Sequence, residues 1–394
     1  MGADPSIPPA EVACQDTARE RFDAHCKRVA AWTVELARSR GLNVEQQDNL
    51  ERAALTHHSL LATLRGPGRA AFLGDLGIEE LDPETTPRVH HEILEIANAL
   101  DEHFEWEPFA DRAKDEPNPA ASAALECLLC VNEEDLQLAI SKLPVFPVAA
   151  QQALDLLARG DWNAYDLRVI AASDQVLAAD LIRAANSWAY GPRQAIKTLP
   201  HAITYIGAEK ASKILLAAAI KPLFGTPALR EIWNHSIEAS EAAQGLAKLS
   251  GRANPEEAFL AGLVHDIGRL AMALLPDVFQ RRSAQLLHKG CELMLVERVL
   301  CGSSHAELGA KALEQWSFPP KLIEAVRFHH EPEQSDSALT SILYLAERWT
   351  NPWEDLPSSA RSKIALDRLG IQTETLDDRD MRMQSSLNSL RFAT

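Results

Sequence analysis

Two adjacent side chains that can each bind a metal ion, His265 and Asp266, lie within the apolar stretch Leu263–Arg269. Imidazoles and carboxylates are the protein groups that borderline and hard divalent cations accept most readily. A buried aspartate also requires a cation or hydrogen-bond donors to compensate for its lost hydration. The pair therefore indicates either a metal site or a satisfied core pair in which Asp266 caps the turn before Gly268.

Further histidines stand on both sides of this pair, namely His235 before it and His288, His305, His329 and His330 after it. Ser304 and Glu307 have capping-box spacing, which predicts that His305 lies in the first turn of a helix. The helix dipole there disfavours protonation of the ring and leaves it free to bind a metal ion. Neighbouring helical residues point about 100° apart. His329 and His330 could therefore both be ligands only at a frayed helix end or beside two ions, and His288 is interpreted as a surface or packing residue.

Composition and charge exclude some classes of partner. The chain has 394 residues, with 39 Lys and Arg against 56 Asp and Glu, and a formal net charge of -17. This charge repels a phosphate backbone, so we do not expect general nucleic-acid binding. No apolar run reaches the roughly 18 residues that a membrane span requires.

The cysteines favour a reducing cytoplasm, because positions 14, 26, 127, 130, 291 and 301 show no disulfide-framework spacing. Cys127 and Cys130 form the one close pair, within the apolar run Ala123–Val131 that is predicted to be helical. A zinc site of this kind would need a second such pair. We therefore interpret both as core cysteines.

The elements that must position the histidines are predicted to be helices. Apolar residues recur at three-to-four spacing in Arg19–Arg40, and Arg230–Leu249 is predicted to be a helix that Gly251 ends. Asn254-Pro255-Glu256-Glu257 supplies a cap residue, a proline at the first helical position and a glutamate three residues after the cap. A helix is therefore predicted to start there and to run into His265. Sustained strand-like alternation is absent from the sequence, so the predicted fold class is all-α.

The order of these residues resembles that of the HD phosphohydrolase superfamily. That order is a histidine on one helix, His-Asp at the end of the next, His-x-x-x-Gly at His305–Gly309, His-His-Glu at His329–Glu331, and an acidic residue on a closing helix. The segment from about Leu136 to Trp349 resembles the HDOD branch, the HD-related output domain. Further matches to that branch are Leu143-Pro-x-x-Pro147, Leu181-Ile-Arg-Ala-Ala-Asn186-Ser187, Ala202-Ile-x-x-Ile206-Gly207, Trp233-x-His235-Ser236, Ala258-Phe-Leu-Ala-Gly-Leu-Val-His-Asp-Ile-Gly268 and Trp316-x-x-Pro319.

This resemblance implies a compact helical bundle used in bacterial signal transduction, frequently without catalysis. In metal-binding relatives, one ion would be held at the positions that match His235, His265, Asp266 and Glu347. A second ion would be held with the help of the positions that match His305, His329 and His330. The expected ion is iron, manganese or zinc, and no other cofactor is predicted.

The sequence departs from the catalytic pattern at three places. Glu347 stands where the enzymes have Asp, and its additional methylene moves the carboxylate by about a bond length. The segment Pro332–Ser337 stands where cyclic-di-GMP phosphodiesterases have a Gly-Tyr-Pro loop. Arg269 replaces the lysine after His-Asp-Ile-Gly, which keeps the charge but alters the hydrogen-bond geometry. The acidic residues Glu331 and Glu333 in this region are interpreted as solvated.

The resemblance divides the chain into a degenerate HD-like domain at 1–118, an HDOD domain at 136–350 and a helical extension at 351–394. In the first domain His25 matches the first ligand, but His57-His58 replaces His-Asp and Asn98 replaces the closing Asp. The loss of two acidic ligands removes the charge that balances a cation, which predicts a scaffold or sensor.

The departures favour a non-catalytic output module that acts through contacts with signalling proteins in the cytoplasm. The alternative is a metal-dependent phosphohydrolase that acts on a nucleotide or cyclic dinucleotide. In that case the metal would activate water and clamp a phosphate oxygen. Asp266 and Arg269 are the catalytic candidates, and Arg269 would contact the phosphate.

Overall fold

The computed structural model describes residues 27–56, 128–159, 161–289, 291, 293–350, 360–372 and 390–391. Across these ranges every regular element is a helix and none is a strand, so the all-α prediction is confirmed. No helix in the described ranges is both long enough and apolar enough to cross a membrane. The predictions for His25, His57, His58 and Asn98 lie outside the described residues, as does most of the predicted domain 1–118.

The α-helices are numbered here in chain order. They are α1 (27–39), α2 (Val44–Thr56), α3 (Glu133–Ser141), α4 (Val148–Arg159), α5 (Ala164–Ala172), α6 (Gln175–Ala185), α7 (Leu199–Ile206), α8 (Ala208–Ile220), α9 (Arg230–Ser250), α10 (Pro255–Val264), α11 (Gly268–Met272), α12 (Asp277–His288), α13 (Leu293–Cys301), α14 (His305–Gln315), α15 (Pro320–Arg327), α16 (Ala338–Thr350) and α17 (Ala360–Leu369). Short 3-10 helices cover Lys221–Phe224, Pro227–Leu229 and Pro332–Gln334.

The chain divides into two compact units. The first contains Met1–Asp135 and Pro276–Ser303, and the second contains Leu136–Leu275 and Ser304–Thr394. The chain therefore leaves the second unit after α11 and re-enters it at α14. The predicted domain limits of 1–118, 136–350 and 351–394 stay predictions.

The first unit contains a buried ion pair between α1 and α12. Trp32 and Leu36 of α1 are almost fully buried, as the apolar spacing predicts. Glu35 is buried on the same helix, and Arg282 donates from Nε to its Oε2 at 2.9 Å. The same guanidinium donates from Nη1 to the carbonyl oxygen of Leu128 at 2.9 Å. A buried carboxylate is tolerated here because a cation compensates for its lost hydration.

The cysteines of the first unit depart partly from the sequence prediction. The helix predicted to reach Val131 does not do so, because residues 129–132 are not helical. Cys127 lies outside the described residues. Cys130 is partly exposed rather than in the core, whereas Cys291 and Cys301 are buried. Burial still raises the pKa of the Cys130 thiol, although the nearby Arg282 acts in the opposite direction. The Cys130 backbone N–H donates to Leu300, which fixes this stretch in a non-helical conformation.

The second unit is arranged around α9, which packs along α10 and α16. Gly262 makes the close approach of α10 possible, because a Cβ there would lie 2.6 Å from the Cα of Ser240 on α9. The predicted start of α10 is confirmed: Asn254 Oδ1 accepts from the backbone N–H of Glu256 at 2.8 Å, and Pro255 occupies the first turn. These contacts hold the C-terminal end of α10 against α9.

Candidate metal centre

Five elements of the second unit bring the predicted ligands to one point of the fold. They are α9 with His235, the end of α10 with His265 and Asp266, the start of α14 with His305, the turn after α15 with His329 and His330, and α16 with Glu347. The ligand atoms form three groups, each with its atoms within 4.8 Å of one another: His235, His265 and Glu347; His265, Asp266 and His329; His305, His329 and His330. The structure thus brings all seven residues together in what is called the cluster below. Their role as ligands stays a prediction.

Two of the histidines are oriented by the carbonyl groups of their own helix ends. His265 Nδ1 lies 2.8 Å from the carbonyl oxygen of Gly262, and His329 Nδ1 lies 2.6 Å from that of Val326. A carbonyl oxygen can only accept, so each Nδ1 carries the proton and donates. In the neutral ring Nε2 is then left with a lone pair. This is the arrangement in which the second ring nitrogen of a ligating histidine is held by an outer partner.

The turn after α15 resolves how two adjacent histidines can serve the same centre. The helix ends at Arg327, so His329 and His330 follow it instead of continuing its 100° rotation. The Nε2 atoms of His330 and His305 lie 3.0 Å apart. His305 is the first residue of α14, whose capping box at Ser304 and Glu307 is complete, as predicted. Its Nε2 lies 3.3 Å from Oδ1 of Asp266, which links the two ends of the cluster.

Glu347 lies between two imidazoles. Its Oε2 atom is 2.6 Å from Nε2 of His235 and 2.9 Å from Nε2 of His265. The carboxylate is almost fully buried, which alone would raise its pKa. The charge and hydrogen bond of His235, followed by the contact with His265, outweigh burial and hold the pKa of Glu347 well below its usual range. Glutamate at this position is therefore long enough to reach both rings.

Asp266 is paired with Arg269 one turn along the chain. Arg269 Nε lies 2.8 Å from Oδ2 of Asp266. Burial raises the pKa of Asp266, but the charges of Arg269, His265 and His305 outweigh it and hold that pKa well below its usual range. One carboxylate oxygen thus faces the guanidinium and the other faces the histidines. Contact between Arg269 and a phosphate stays a prediction.

Buried polar atoms without hydrogen-bond partners point to an ion at this cluster. Four such atoms among the described residues belong to it, namely His265 Nε2, Asp266 Oδ1, His329 Nε2 and Glu347 Oε1. The contact between His265 Nε2 and Oε2 of Glu347, at 2.9 Å, is an ion pair rather than one of the hydrogen bonds of the structure. Leaving a buried polar atom unpaired costs about 1–3 kcal/mol. Two nitrogens and two oxygens left in this way are a donor set that a divalent cation satisfies, so the residues fit a metal ion.

The comparisons with known proteins place this segment in a family. Residues 143–332 match the HDOD domain family. This segment is an HDOD domain. The match covers the cluster from His235 to His330 and ends at Pro332, so Glu347 and α17 lie beyond it.

Solved structures share the fold of this HDOD domain. An HDOD domain protein of unknown function from Geobacter sulfurreducens aligns over 65% of this chain and 94% of its own, with a TM-score of 0.53 and 22% identity. A candidate signal transduction protein from Marinobacter aquaeolei aligns over 75% and 69%, with a TM-score of 0.55 and 20% identity. A candidate phosphohydrolase from Shewanella amazonensis aligns over 64% and 95%, with a TM-score of 0.52 and 25% identity.

A curated relative extends beyond this chain. An uncharacterized protein of Treponema pallidum is 22% identical over 236 residues, which are 57% of this chain and 46% of the relative. The chain therefore spans about half the length of that relative. The degenerate HD-like domain predicted before the HDOD domain stays a prediction.

Three histidines of the cluster, His265, His329 and His330, have pKa values that are shifted in different directions. Burial lowers the pKa of His265, but the charges of Asp266 and Glu347 outweigh it and raise that pKa to about 9. Burial, together with the charges of His265 and His305, lowers the pKa of His329 to about 3. Burial also holds the pKa of His330 well below its usual range. In the metal-free protein at neutral pH His265 is therefore protonated, whereas His329 and His330 are neutral. A metal ion that bound to His265 would displace its proton.

Sequence reasoning missed the structural role of Gly268. A Cβ at this position would lie 1.9 Å from the carbonyl oxygen of His305, so only glycine permits α11 to pack against α14. The glycine after His-Asp-Ile was the signal that could have indicated this contact. His288, by contrast, is exposed in the first unit and takes no part in the cluster, as predicted.

Proposed function

We propose that this protein is a signalling output module that acts through protein contacts and does not turn over a substrate. Its HDOD domain would hold a divalent metal ion at the cluster of seven predicted ligands. The observation that carries the proposal is the closure of the cluster. Five of its members, His265, Asp266, His305, His329 and Glu347, are each at most 2% exposed. In structural metal sites the protein fills every ligand position, whereas catalytic sites keep one position for water or substrate. Burial of this degree leaves little access for either, which favours a structural ion.

The ion would be iron, manganese or zinc, because imidazole and carboxylate suit these metals. His235, His265, Asp266 and Glu347 would hold it, with His305, His329 and His330 available to a second ion. When bound, an ion of this kind supplies Lewis-acid chemistry to a phosphate or water oxygen. The protein's own contribution is to fix the rings through Gly262 and Val326 and to keep His329 neutral at physiological pH.

The electrostatics of the site also favour a non-catalytic role. The guanidinium of Arg269 is already paired with Asp266, with Nε 2.8 Å from Oδ2. A cation that neutralises the central carboxylate contributes to the stability of the cluster. Signalling proteins are the proposed partners, and the cytoplasm is the proposed location.

A second candidate function is metal-dependent hydrolysis of a nucleotide or cyclic dinucleotide. The observation that favours it is the partial exposure of His235 and Arg269, whose side chains are 20% and 23% exposed beside the buried ligands. A phosphate that approached from this side would meet a histidine and a guanidinium, which are both phosphate-binding groups. The relative from Shewanella amazonensis, a candidate phosphohydrolase, supports this alternative at the level of the fold.

Elemental analysis of the anaerobically purified protein tests the proposal. We expect stoichiometric iron, manganese or zinc in the wild-type protein and loss of that metal in a His265→Ala, Asp266→Ala variant. His288→Ala is the matched control, because His288 is exposed and lies outside the cluster. Absence of metal after metal-supplemented preparation contradicts the metal centre. A screen for turnover of nucleotides and cyclic dinucleotides by the loaded protein then separates the two functions, since turnover that depends on Asp266 contradicts the non-catalytic proposal.

A further inference from the structure

A helix outside the matched family segment packs against the turn that follows the histidine pair. Helix α17 (Ala360–Leu369) contacts both α16 and the 3-10 helix Pro332–Gln334. Ala365 and Leu369 are almost fully buried, so the helix is docked through an apolar face. Gly370 follows it with a φ of 67°, a left-handed conformation that commonly ends a helix. The turn with the predicted ligands is therefore supported from beyond residue 332.

Arg368 makes the main hydrogen bonds between α17 and the turn that follows the histidine pair. Its Nη1 atom donates to the carbonyl oxygen of Pro332 at 2.9 Å and to Oγ of Ser341 at 2.9 Å. Pro332 is two residues after His330, and Ser341 is on α16, six residues before Glu347. A single guanidinium thus joins the backbone of the histidine turn to the helix that carries the acidic ligand. Its side chain is only 20% exposed, so water competes weakly for these hydrogen bonds.

A second arginine of α17 holds the same turn through a carboxylate. Arg361 donates to Oε1 of Glu333 from Nε at 2.8 Å, and its Nη2 lies 2.7 Å from the same oxygen. The prediction that Glu331 and Glu333 are solvated is therefore wrong, since their side chains are 18% and 16% exposed and both pair with Arg361. The cause is Arg361 on α17, which is 28 residues further along the chain. No local sequence pattern around Glu333 indicates this contact.

We propose that Arg368 is a positioning residue for His329 and His330, a role that rests on the proposed function of these histidines as metal ligands. Both histidines lie beyond the last turn of α15, where the ladder of helical hydrogen bonds no longer fixes the backbone. Arg368 replaces that restraint by anchoring the carbonyl group of Pro332. Outer partners that orient ligands typically contribute about 10-fold to 100-fold to metal affinity. Helix α17 therefore contributes to the candidate metal centre by holding the turn that carries His329 and His330.

Hydrogen exchange and Co²⁺ titration of the full-length protein test the proposal with three variants. Arg368→Met removes the donors, Arg368→Lys retains a donor that can reach one or both acceptors, and Arg391→Met is the matched control. Arg391 is 29% exposed and ion-paired with Glu238, but it does not contact the histidine turn. In the metal-free protein we expect Arg368→Met to accelerate exchange in residues 328–335 by about tenfold or more, with little change in 255–264. The amides of Glu331 and Gln334 are hydrogen-bonded within this turn and report on it.

In the metal arm we expect Arg368→Met to weaken Co²⁺ binding by about 10-fold to 100-fold, Arg368→Lys to recover most of the affinity, and Arg391→Met to leave it unchanged. Unchanged exchange in residues 328–335 overturns the proposal, as does a uniform increase across the second unit, which would indicate only a general loss of stability. If the wild-type protein takes up no Co²⁺, the proposed metal centre fails, and the exchange arm still decides whether Arg368 holds the turn. If Arg368→Met does not fold, Ser341→Ala decides, because it removes one acceptor and must accelerate exchange in the same residues.

Discussion

At the scale of single residues, the cluster is fixed by short contacts that leave little freedom. Gly268 approaches the His305 carbonyl so closely that a Cβ would lie 1.9 Å from it. Glu347 Oε2 lies within 2.9 Å of two imidazole nitrogens. The residue types at these positions could be identified from the sequence, but the contacts could not, because His235 and Glu347 are 112 residues apart. Their meeting depends on the packing of α9 against α16.

Gly268→Ala is expected to destabilise the second unit by roughly 3 kcal/mol or more, because the methyl group meets backbone atoms that cannot move aside. Thermal unfolding followed by circular dichroism measures the effect. Gly225→Ala is the control, since its Cβ would lie 3.3 Å from the carbonyl oxygen of Pro222 and its backbone is not in the left-handed region. Equal melting temperatures for the two variants contradict the argument.

Glu347→Gln is expected to lower metal occupancy by more than about tenfold while the fold is retained. The amide has nearly the same shape as the carboxylate, but it lacks the charge that balances a cation and the neighbouring imidazoles. Metal content per protein, measured by mass spectrometry, reports the change. Glu257→Gln serves as the control, because Glu257 is half-exposed and pairs with Lys321 at the start of α15, the opposite end of that helix from the histidine turn. Full occupancy in the Glu347 variant shows that this carboxylate is not a ligand.

At the scale of helices, the ends of the helices position most of the site. Five of the seven predicted ligands lie at or just beyond a helix end, namely His265, Asp266, His305, His329 and His330. The ends with local signals could be predicted from the sequence: the Asn254 cap, the Ser304 capping box and the glycine after α9 are all present. The end of α15 at Arg327 has no such local signal, although it decides how both histidines can face the cluster. No proline or glycine marks that end until Pro332, so tertiary packing sets it.

Ser304→Ala is expected to destabilise α14 by about 0.5–2 kcal/mol and also to weaken metal binding, because His305 is the first residue of that helix. Asn163→Ala is a closely matched control, since Asn163 heads a complete capping box on α5, which carries none of the predicted ligands. Both variants should lose similar stability in urea unfolding. A Co²⁺ titration should distinguish them, and equal affinities would indicate that the cap does not position His305.

At the scale of the whole molecule, the predicted ligands belong to one of two units. Among the described residues, every group that could hold a metal ion lies in the second unit. The segment Pro276–Ser303 belongs to the first unit, although the chain before it and after it belongs to the second unit and carries predicted ligands. No pattern in the sequence indicated this division, since the resemblance treated 136–350 as continuous. The all-α class could be predicted, because it depends on local periodicity, whereas the division depends on long-range contacts.

Metal removal is expected to act on the second unit alone. A ligand at one hundred times its dissociation constant stabilises the folded state by about 2.7 kcal/mol. A chelator should therefore accelerate hydrogen exchange in 255–266 and 305–330 but leave 277–288 unchanged. The His265→Ala, Asp266→Ala variant is the control and should not respond to the chelator. Acceleration in 277–288 of the wild-type protein would contradict a centre confined to the second unit.

The contact between Gly268 and His305 also determines how tolerance to mutation should be interpreted in this protein. The same glycine permits helix packing and borders the cluster, so a variant at this position is destabilised whether or not the protein uses a metal ion. Intolerance at position 268 in a mutational scan is therefore no sign of catalysis. Substitutions at positions 235 and 347 show better whether the protein uses a metal ion. Conservative changes there alter the ligand set while the backbone contacts at Gly268 remain intact.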